Sequence, residues 1–342
     1  IAFISYFILF ILLVYLLVKL NARRLEKENI KLENTVKQRT VEISTQKEEI
    51  QTQADHLEEI NAELSLKNEE INAIAESLRE ANQNIKDKNE YILDSINYAK
   101  KIQTAILPVQ ETMNEILKDY FVIYRPKDIV GGDFYFVKKV NKYILFSVAD
   151  CTGHGVPGGF LSMMGYSFLN DIIRNEHIQK PSDALEELRL RIKSALKQKE
   201  YFSGRTDGID IALCAIDTEK NILQFSGANI SAYIVRKEDK LKIEELKADQ
   251  QPVGIHYNET EFTYYETEIN PGDTLYLFTD GLYDQLGGEN NKKYLLSNLK
   301  KRLIDISGES MKIQKRIILK DHLKWKSNNK QVDDILILGL RY

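Results

Sequence analysis

The chain has 342 residues and a net charge of −4, with 43% hydrophobic and 29% charged residues. These values fit a globular domain with extensions, and the weak negative charge gives no signature of nucleic-acid binding, so we expect no nucleic-acid partner. The two cysteines are too few for a disulfide scaffold.

The first element is an apolar segment long enough to cross a membrane. Residues 1–18 are almost entirely apolar, and a helix of that length spans about 27 Å, close to a bilayer's hydrocarbon core. Four basic residues follow between positions 19 and 27, which places the rest of the chain in the cytoplasm. We predict a single-pass transmembrane helix over 1–20 in the cell membrane, with a signal peptide as the alternative. Because the first residue is Ile1, we expect a longer protein.

The next segment has no glycine or proline and carries an apolar residue at every seventh position. The repeat comprises Val36, Ile43, Ile50, Leu57, Leu64, Ile71, Leu78, Ile85, Ile92, Ala99 and Ile106. This spacing is typical of one seam position of a left-handed coiled coil. The positions three residues further on are mixed, since Ile60 is apolar but Gln46 and Lys67 are polar. We predict a coiled-coil linker over 21–90 that forms a parallel homodimer, with a single solvated helix as the alternative.

Residues 119–342 are predicted to form an α+β domain, because short β-rich runs alternate with helical ones. Predicted strands cover 121–124, 134–137, 143–149, 209–216, 222–226, 232–236, 262–267, 274–279 and 335–340. Predicted helices cover 158–176, 181–199, 294–306 and 309–323. This order favours antiparallel sheets with helices packed outside them.

Four motifs place aspartates beside strand-like apolar runs. They are Gly131-Gly132-Asp133, Val148-Ala149-Asp150-Cys151, Phe278-Thr279-Asp280-Gly281 and Val332-Asp333-Asp334. Several carboxylates in one cleft repel one another unless a divalent cation neutralises them, and hard cations prefer oxygen ligands. The motifs therefore predict a Mg²⁺ or Mn²⁺ site, and a two-ion site would activate water for attack on a phosphoryl group. Each Asp-Gly pair taken alone also fits an ordinary turn, as does the Asp207–Asp210 segment, for which a third metal site is the alternative.

In this order the motifs resemble those of the SpoIIE-like branch of the PPM-type (type 2C) metal-dependent serine/threonine protein phosphatases. The matching segments are Arg125–Tyr135, Asp150–Gly158, Thr279–Gly288 and Gln331–Ile335. The resemblance implies a β-sandwich flanked by helices, in α-β-β-α layers. It also implies hydrolysis of phosphoserine or phosphothreonine on a protein partner, such as an anti-sigma-factor antagonist.

The resemblance further implies two Mn²⁺ or Mg²⁺ ions and assigns roles to individual residues. The implied ligands are Asp133, Asp150, the backbone carbonyl of Cys151, Asp280, Asp333 and Asp334, the last one orienting its neighbour or binding through water. Asp133 and Asp150 would support catalysis, with Asp150 bridging the ions. His154 would be the general acid, since imidazole titrates near neutral pH, and a structural loop histidine is the alternative. Eukaryotic members carry a phosphate-binding arginine before the first ligand, and Arg125 is the nearest candidate.

Residues 91–118 resemble the helix that precedes this domain in the branch. In relatives such a helix can dimerise and control metal binding. The implied hypothesis is that a signal changes the register of the coiled coil and that this regulatory helix then switches the active site.

Competing functions explain fewer of the motifs. Gly131-Gly132-Asp133-Phe134 is similar to the diguanylate cyclase motif, but it lacks the second acidic residue that the cyclases carry before the phenylalanine, and a cyclase leaves the later aspartates unexplained. A histidine kinase needs a histidine in its dimerisation helix, and residues 91–107 have none. A cysteine phosphatase needs an arginine six residues after its nucleophile, where this chain has Pro157 and Lys220. The remaining alternative is a non-catalytic, membrane-tethered dimeric signalling scaffold with a phosphatase-like domain.

Overall fold

A computed structural model describes residues 2–174, 180–198, 207–237 and 242–342 of the chain. The chain divides into two compact units, residues 1–88 and residues 89–342. The predicted ends of two helices, at residues 176 and 199, lie outside the described residues.

Every described residue of the first unit belongs to one helix, α1 (Ala2–Ile106). Without proline or glycine, nothing in this sequence interrupts the i to i−4 hydrogen bonds of the backbone. By length and composition the start of α1 could cross a membrane, a test that signal sequences also pass. The predicted helical character of the linker is therefore confirmed, while the membrane span stays a prediction.

The heptad residues of α1 form an exposed apolar stripe. Leu57 is 59% exposed, Ile71 60% and Leu78 59%. Exposing large aliphatic side chains to water costs about 25 cal/mol for each Å² that a partner could cover. The stripe is the surface on which the predicted parallel homodimer would form, and that dimer stays a prediction.

The second unit contains the end of α1, five further helices and thirteen strands in its described part. The helices are α2 (Gln110–Ile116), α3 (Gly155–Arg174), α4 (Pro181–Ala195), α5 (Leu296–Ile306) and α6 (Met311–Lys326). The strands are β1 (Asp119–Arg125), β2 (Phe134–Val140), β3 (Tyr143–Cys151), β4 (Gly208–Asp217), β5 (Ile222–Ala228), β6 (Ala232–Val235), β7 (Ile243–Leu246), β8 (Val253–Gly254), β9 (Tyr265–Glu268), β10 (Thr274–Phe278), β11 (Leu286–Gly287), β12 (Lys292–Lys293) and β13 (Ile335–Arg341).

The longer strands form two antiparallel sheets. The first sheet has the order β1-β13-β10-β6-β7, and the second has the order β2-β3-β4-β5-β9 with β8 paired to β4. Strands β11 and β12 form a separate hairpin. Side chains alternate between the two faces of each strand, so each sheet has one face for the other sheet and one for helices.

Three apolar clusters show how the layers pack. Residues such as Val148 on β3 and Leu338 on β13 fill the space between the sheets. Phe134 and Ile211 of the second sheet pack with Leu185 and other residues of α3 and α4. Residues of α5 and α6 pack against Phe121 and other residues of the first sheet. The result is an α-β-β-α sandwich, as the sequence motifs implied.

The apolar stripe on α1 predicts that two copies of this helix pair in parallel and in register. In a parallel coiled coil in register, two copies of Leu57 face each other across the seam, whereas two copies of Ala62, on the outer face, do not. We expect Leu57→Cys to form a disulfide-linked dimer of the full chain under mild oxidation, seen on a non-reducing gel. Cys151 and Cys214 are buried and contribute little background. Ala62→Cys is the matched control, and equal cross-linking of both variants would contradict the parallel seam.

Candidate active site

The aspartate motifs meet at one end of the sandwich. Asp133 directly precedes β2 and Asp150 lies at the end of β3, while Asp280 follows β10 and Asp333 precedes β13. In an antiparallel pair the start of one strand lies beside the end of its neighbour. Phe134 accordingly pairs with Ala149, and Phe278 with Ile337. The strand order therefore brings the motifs together in two pairs, one in each sheet. The charge interactions of Asp133 with Asp334 and of Asp150 with Asp280 place the two pairs at the same end of the sandwich.

Asp133 is the most deeply buried of these carboxylates. Its side chain is 1% exposed, and burial, followed by the charges of Asp150 and Asp334, raises its pKa well above the ordinary value. The Thr279 hydroxyl donates a hydrogen bond to Oδ2 of Asp133 at 2.8 Å. Oδ1 has no hydrogen-bond partner among the described residues. A buried carboxylate oxygen without a donor is costly unless a cation or water reaches it.

Burial and neighbouring negative charges also raise the pKa values of Asp150 and Asp280. Burial, and then the charges of Asp280, Asp210 and Asp333, raise the pKa of Asp150 to about 8. Burial and the charge of Asp333 raise the pKa of Asp280 to about 6. The positive charge of Lys293 lowers the pKa of Asp280, but this effect is smaller than those of burial and Asp333. Lys293 is itself paired with Asp284, at 2.7 Å. Among the described residues, the fold therefore brings carboxylates together without a matching set of cationic side chains.

Asp210 is a member of this group that sequence reasoning assigned to a solvated turn. It lies in β4, directly opposite Asp150 in the register of β3 and β4. Burial raises its pKa, and the Asn229 side-chain amide donates a hydrogen bond to it at 2.8 Å. The turn interpretation is wrong for Asp210, because pairing with β3 extends the strand back to Gly208.

The carboxylate of Asp334 accepts hydrogen bonds from backbone N–H groups of the first motif. Its Oδ1 accepts a hydrogen bond from the backbone N–H of Lys127 at 2.6 Å. Its Oδ2 accepts from the backbone N–H groups of Gly132 at 2.5 Å and Asp133 at 3.4 Å. Burial still raises its pKa, against the effect of these bonds. Asp334 therefore fixes the loop that positions Asp133.

Two glycines allow the motif backbones to touch. A Cβ atom on Gly132 would lie 2.6 Å from the carbonyl oxygen of Gly153 and 3.0 Å from that of Cys151. A Cβ atom on Gly281 would lie 1.8 Å from the carbonyl oxygen of Asp334. Only glycine permits such contacts. The carbonyl group of Cys151 thus lies at the loop that carries Asp133.

His154 lies apart from the carboxylate cluster in its described contacts. Its Nδ1 is 2.7 Å from Oδ2 of Asp128, and the two side chains are 50% and 48% exposed. His154 sits between Gly153 and Gly155, which have φ angles of +87° and +67°. Asp128, which sequence reasoning did not single out, fixes the orientation of this imidazole. Its only signal in the sequence is its place in the first motif.

Arg125 also lies apart from the cluster. It ends β1, and among the described residues no carboxylate approaches its guanidinium within the 4.0 Å of an ion pair. Its backbone oxygen accepts a hydrogen bond from the Gln331 side chain at 2.8 Å.

Gln103, near the end of α1, contacts the first motif directly. It is 4% exposed, and its side-chain amide donates hydrogen bonds to the Gly131 carbonyl at 2.6 Å and to the Ser162 hydroxyl at 2.8 Å. The backbone N–H of Gly131 donates back to Gln103 Oε1 at 3.3 Å. This helix is thereby connected to the loop that carries Asp133.

The carboxylate cluster offers oxygen donors of the kind that a hard metal ion prefers. In the described part of the chain, no group of three or more His, Cys, Asp or Glu side chains is arranged so that it could hold an ion as it stands. Mg²⁺ usually keeps several waters and binds through one or two carboxylates, so a preformed cage is not needed. The raised pKa values and the orphaned oxygen of Asp133 fit an ion of that kind.

Comparisons with known proteins agree with the geometry. The family model for SpoIIE, Stage II sporulation protein E, matches residues 141–342. The SiaA-PP2C domain of Pseudomonas aeruginosa is 30% identical, with a TM-score of 0.67, covering 74% of this chain and 98% of that one. A comparison with curated proteins finds no match.

Two more distant structures share the fold. The first contains the PP2C phosphatase domain and a regulatory fragment of SpoIIE from Bacillus subtilis, at 17% identity and a TM-score of 0.51, covering 65% of this chain and 61% of that one. The second contains the RsbU and RsbW domains of a Mycobacterium tuberculosis protein, at 17% identity and a TM-score of 0.53, covering 65% and 59%.

Proposed function

Because this chain belongs to the SpoIIE family and carries a PP2C-type phosphatase domain, we propose that it hydrolyses phosphoserine or phosphothreonine on a protein partner with the help of two divalent cations. The observation that carries the proposal is the convergence of Asp133, Asp150, Asp280 and Asp333 at one edge of the sandwich. Buried carboxylates without cationic partners are a feature of metal sites more than of structural cores.

The residues that would hold the cations are those of the cluster. Asp133, Asp150, Asp280 and Asp333 supply carboxylate oxygens, and Cys151 supplies its backbone carbonyl. When bound, Mn²⁺ or Mg²⁺ supplies Lewis acidity toward water and toward the phosphoryl group. Asp334 positions Asp133 through the backbone bonds already described. Asp210 adds negative charge beside Asp150.

His154 and Asp128 are proposed to deliver the proton to the leaving hydroxyl. A carboxylate that accepts the Nδ1–H of an imidazole fixes the tautomer and leaves Nε2 for the substrate. The half-exposed position of the pair suits contact with a protein substrate at the rim of the site. A structural loop histidine remains the competing interpretation.

The N-terminal helix supports a proposal for anchoring and control. The apolar start of α1 is proposed to anchor the protein in the cell membrane, with the phosphatase domain in the cytoplasm. The exposed stripe is proposed to form the parallel homodimer, and the bonds of Gln103 to Gly131 offer the regulatory helix a route to the first motif. The substrate is proposed to be a signalling phosphoprotein, such as an anti-sigma-factor antagonist.

The Asp150→Asn variant tests whether the protein is an enzyme or a non-catalytic scaffold. We expect the full chain to hydrolyse p-nitrophenyl phosphate only with added Mn²⁺ or Mg²⁺, and Asp150→Asn to lower kcat/KM at least about 100-fold, because a cation ligand is lost. Asp305→Asn, the same substitution at an exposed position of α5, is the matched control. Wild-type protein without metal-stimulated activity would instead favour the scaffold.

The role of His154 is tested by changing the leaving group. A serine hydroxyl needs a proton as it leaves, whereas p-nitrophenolate does not. We expect His154→Gln to slow hydrolysis of a phosphoserine peptide by roughly 100-fold and of p-nitrophenyl phosphate by far less. Asp128→Asn should act in the same direction, and the double variant should be no worse than His154→Gln, because the two act as one unit. Equal losses on both substrates would contradict the general-acid role.

A further inference from the structure

The first sheet has an unpaired edge beside a groove. In the described part of the chain, β1 pairs with β13 and with no other strand. Its outer edge therefore presents unpaired backbone N–H and C=O groups, which form a template for another extended chain. Natural sheets usually protect such edges.

The groove runs along this edge and has a volume of about 780 Å³. All seven residues of β1 line it, which corresponds to about 23 Å of strand. Helix α2 contributes Met113 and Asn114 on one side, and α6 contributes Lys312, Lys315 and Leu319 on the other. An elongated groove along a strand fits an extended peptide better than a compact ligand.

The charge of the groove is positive. Lys118, Arg125, Lys312 and Lys315 line it, and in the described residues none of the four has a carboxylate within ion-pair distance. The single acidic residue of the lining, Asp119, is paired with Arg341 at 3.5 Å. Four unpaired cations around a strand edge favour an occupant that carries negative charge.

We propose that this groove binds an extended acidic segment of a protein partner, which adds as a strand to the free edge of β1. Main-chain hydrogen bonds to β1 would supply affinity, and the four cations would select acidic side chains. The proposal does not depend on the phosphatase activity, since none of its residues belongs to the carboxylate cluster.

Two other occupants fit the groove less well. A membrane surface is broad and meets protruding cations, whereas these cations surround a concave strand edge. A second copy of the chain pairing through β1 would bring the same unpaired cations together, and like charges at an interface are unfavourable. An acidic segment from a different protein avoids both problems.

The test uses the full chain in phosphatidylcholine nanodiscs and a fluorescent eight-residue peptide of alternating Glu and Val, with binding measured by anisotropy. Lys312→Glu combined with Lys315→Glu should weaken binding by roughly tenfold or more, because both cations line the groove. Lys320→Glu combined with Lys324→Glu makes the same charge change on the same helix outside the groove, and should change binding less than about twofold.

Backbone methylation tests the strand addition itself. Successive N–H groups of a strand point to opposite edges, so methylating every Glu nitrogen blocks one edge and methylating every Val nitrogen blocks the other. One of these peptides should lose binding while the other keeps it. Equal behaviour of the two peptides would overturn strand addition. Equal effects of the two double Lys variants, or equal binding of a peptide of alternating Lys and Val, would overturn the selection of an acidic segment by this groove. Competition by phosphatidylserine vesicles that depends on Lys320 and Lys324 would do the same.

Discussion

The repulsion among carboxylates at one edge of the sandwich is the constraint on which the rest of the domain depends. Asp133, Asp150, Asp210 and Asp280 all have raised pKa values, and burial is the first cause in each case. The apolar packing of two sheets and four helices forces this approach. The folded chain therefore holds a charge distribution that is unfavourable until protons or cations neutralise it.

The surrounding hydrogen bonds explain how such a site stays in place. Asp334 accepts backbone bonds from the loop before β2, and Gln331 donates to the carbonyl groups of Arg125 and Asp333. Gln103 holds the same loop from the end of α1. The loop of the first motif is thus bonded to two other parts of the domain, and a shift in either would move Asp133. These bonds are the physical basis of the proposal that the regulatory helix controls activity.

The sequence predicted the layers and the main elements because those depend on local patterns. Apolar runs gave nine strands at nearly the right places, and the heptad repeat gave a helix that the structure describes from Ala2 to Ile106. The short strands β7, β8, β11 and β12 were not predicted, because their few residues carry little periodicity. Helix α2 lies within the predicted regulatory helix over 91–118, which the structure divides into the end of α1 and α2 on either side of Pro108. Asp210 was misassigned because its place beside Asp150 depends on the register of β3 and β4, which is a tertiary property. The Asp128 contact to His154 is likewise formed only by the folded loop.

The most direct measurement of the central constraint is thermal unfolding of the full chain in phosphatidylcholine nanodiscs, with chelator, as a function of pH. The pKa values of Asp150 (about 8) and Asp280 (about 6) lie above the ordinary value of 3.8. Between pH 3.8 and pH 8 the folded chain therefore binds more protons than the unfolded chain, so the free energy of unfolding falls as the pH rises. The account predicts that Asp150→Asn flattens this fall and raises the unfolding temperature at pH 7.5 by several degrees, and that Mn²⁺ raises that of the wild type. Identical pH profiles for wild type and Asp150→Asn, with no effect of Mn²⁺, would contradict it.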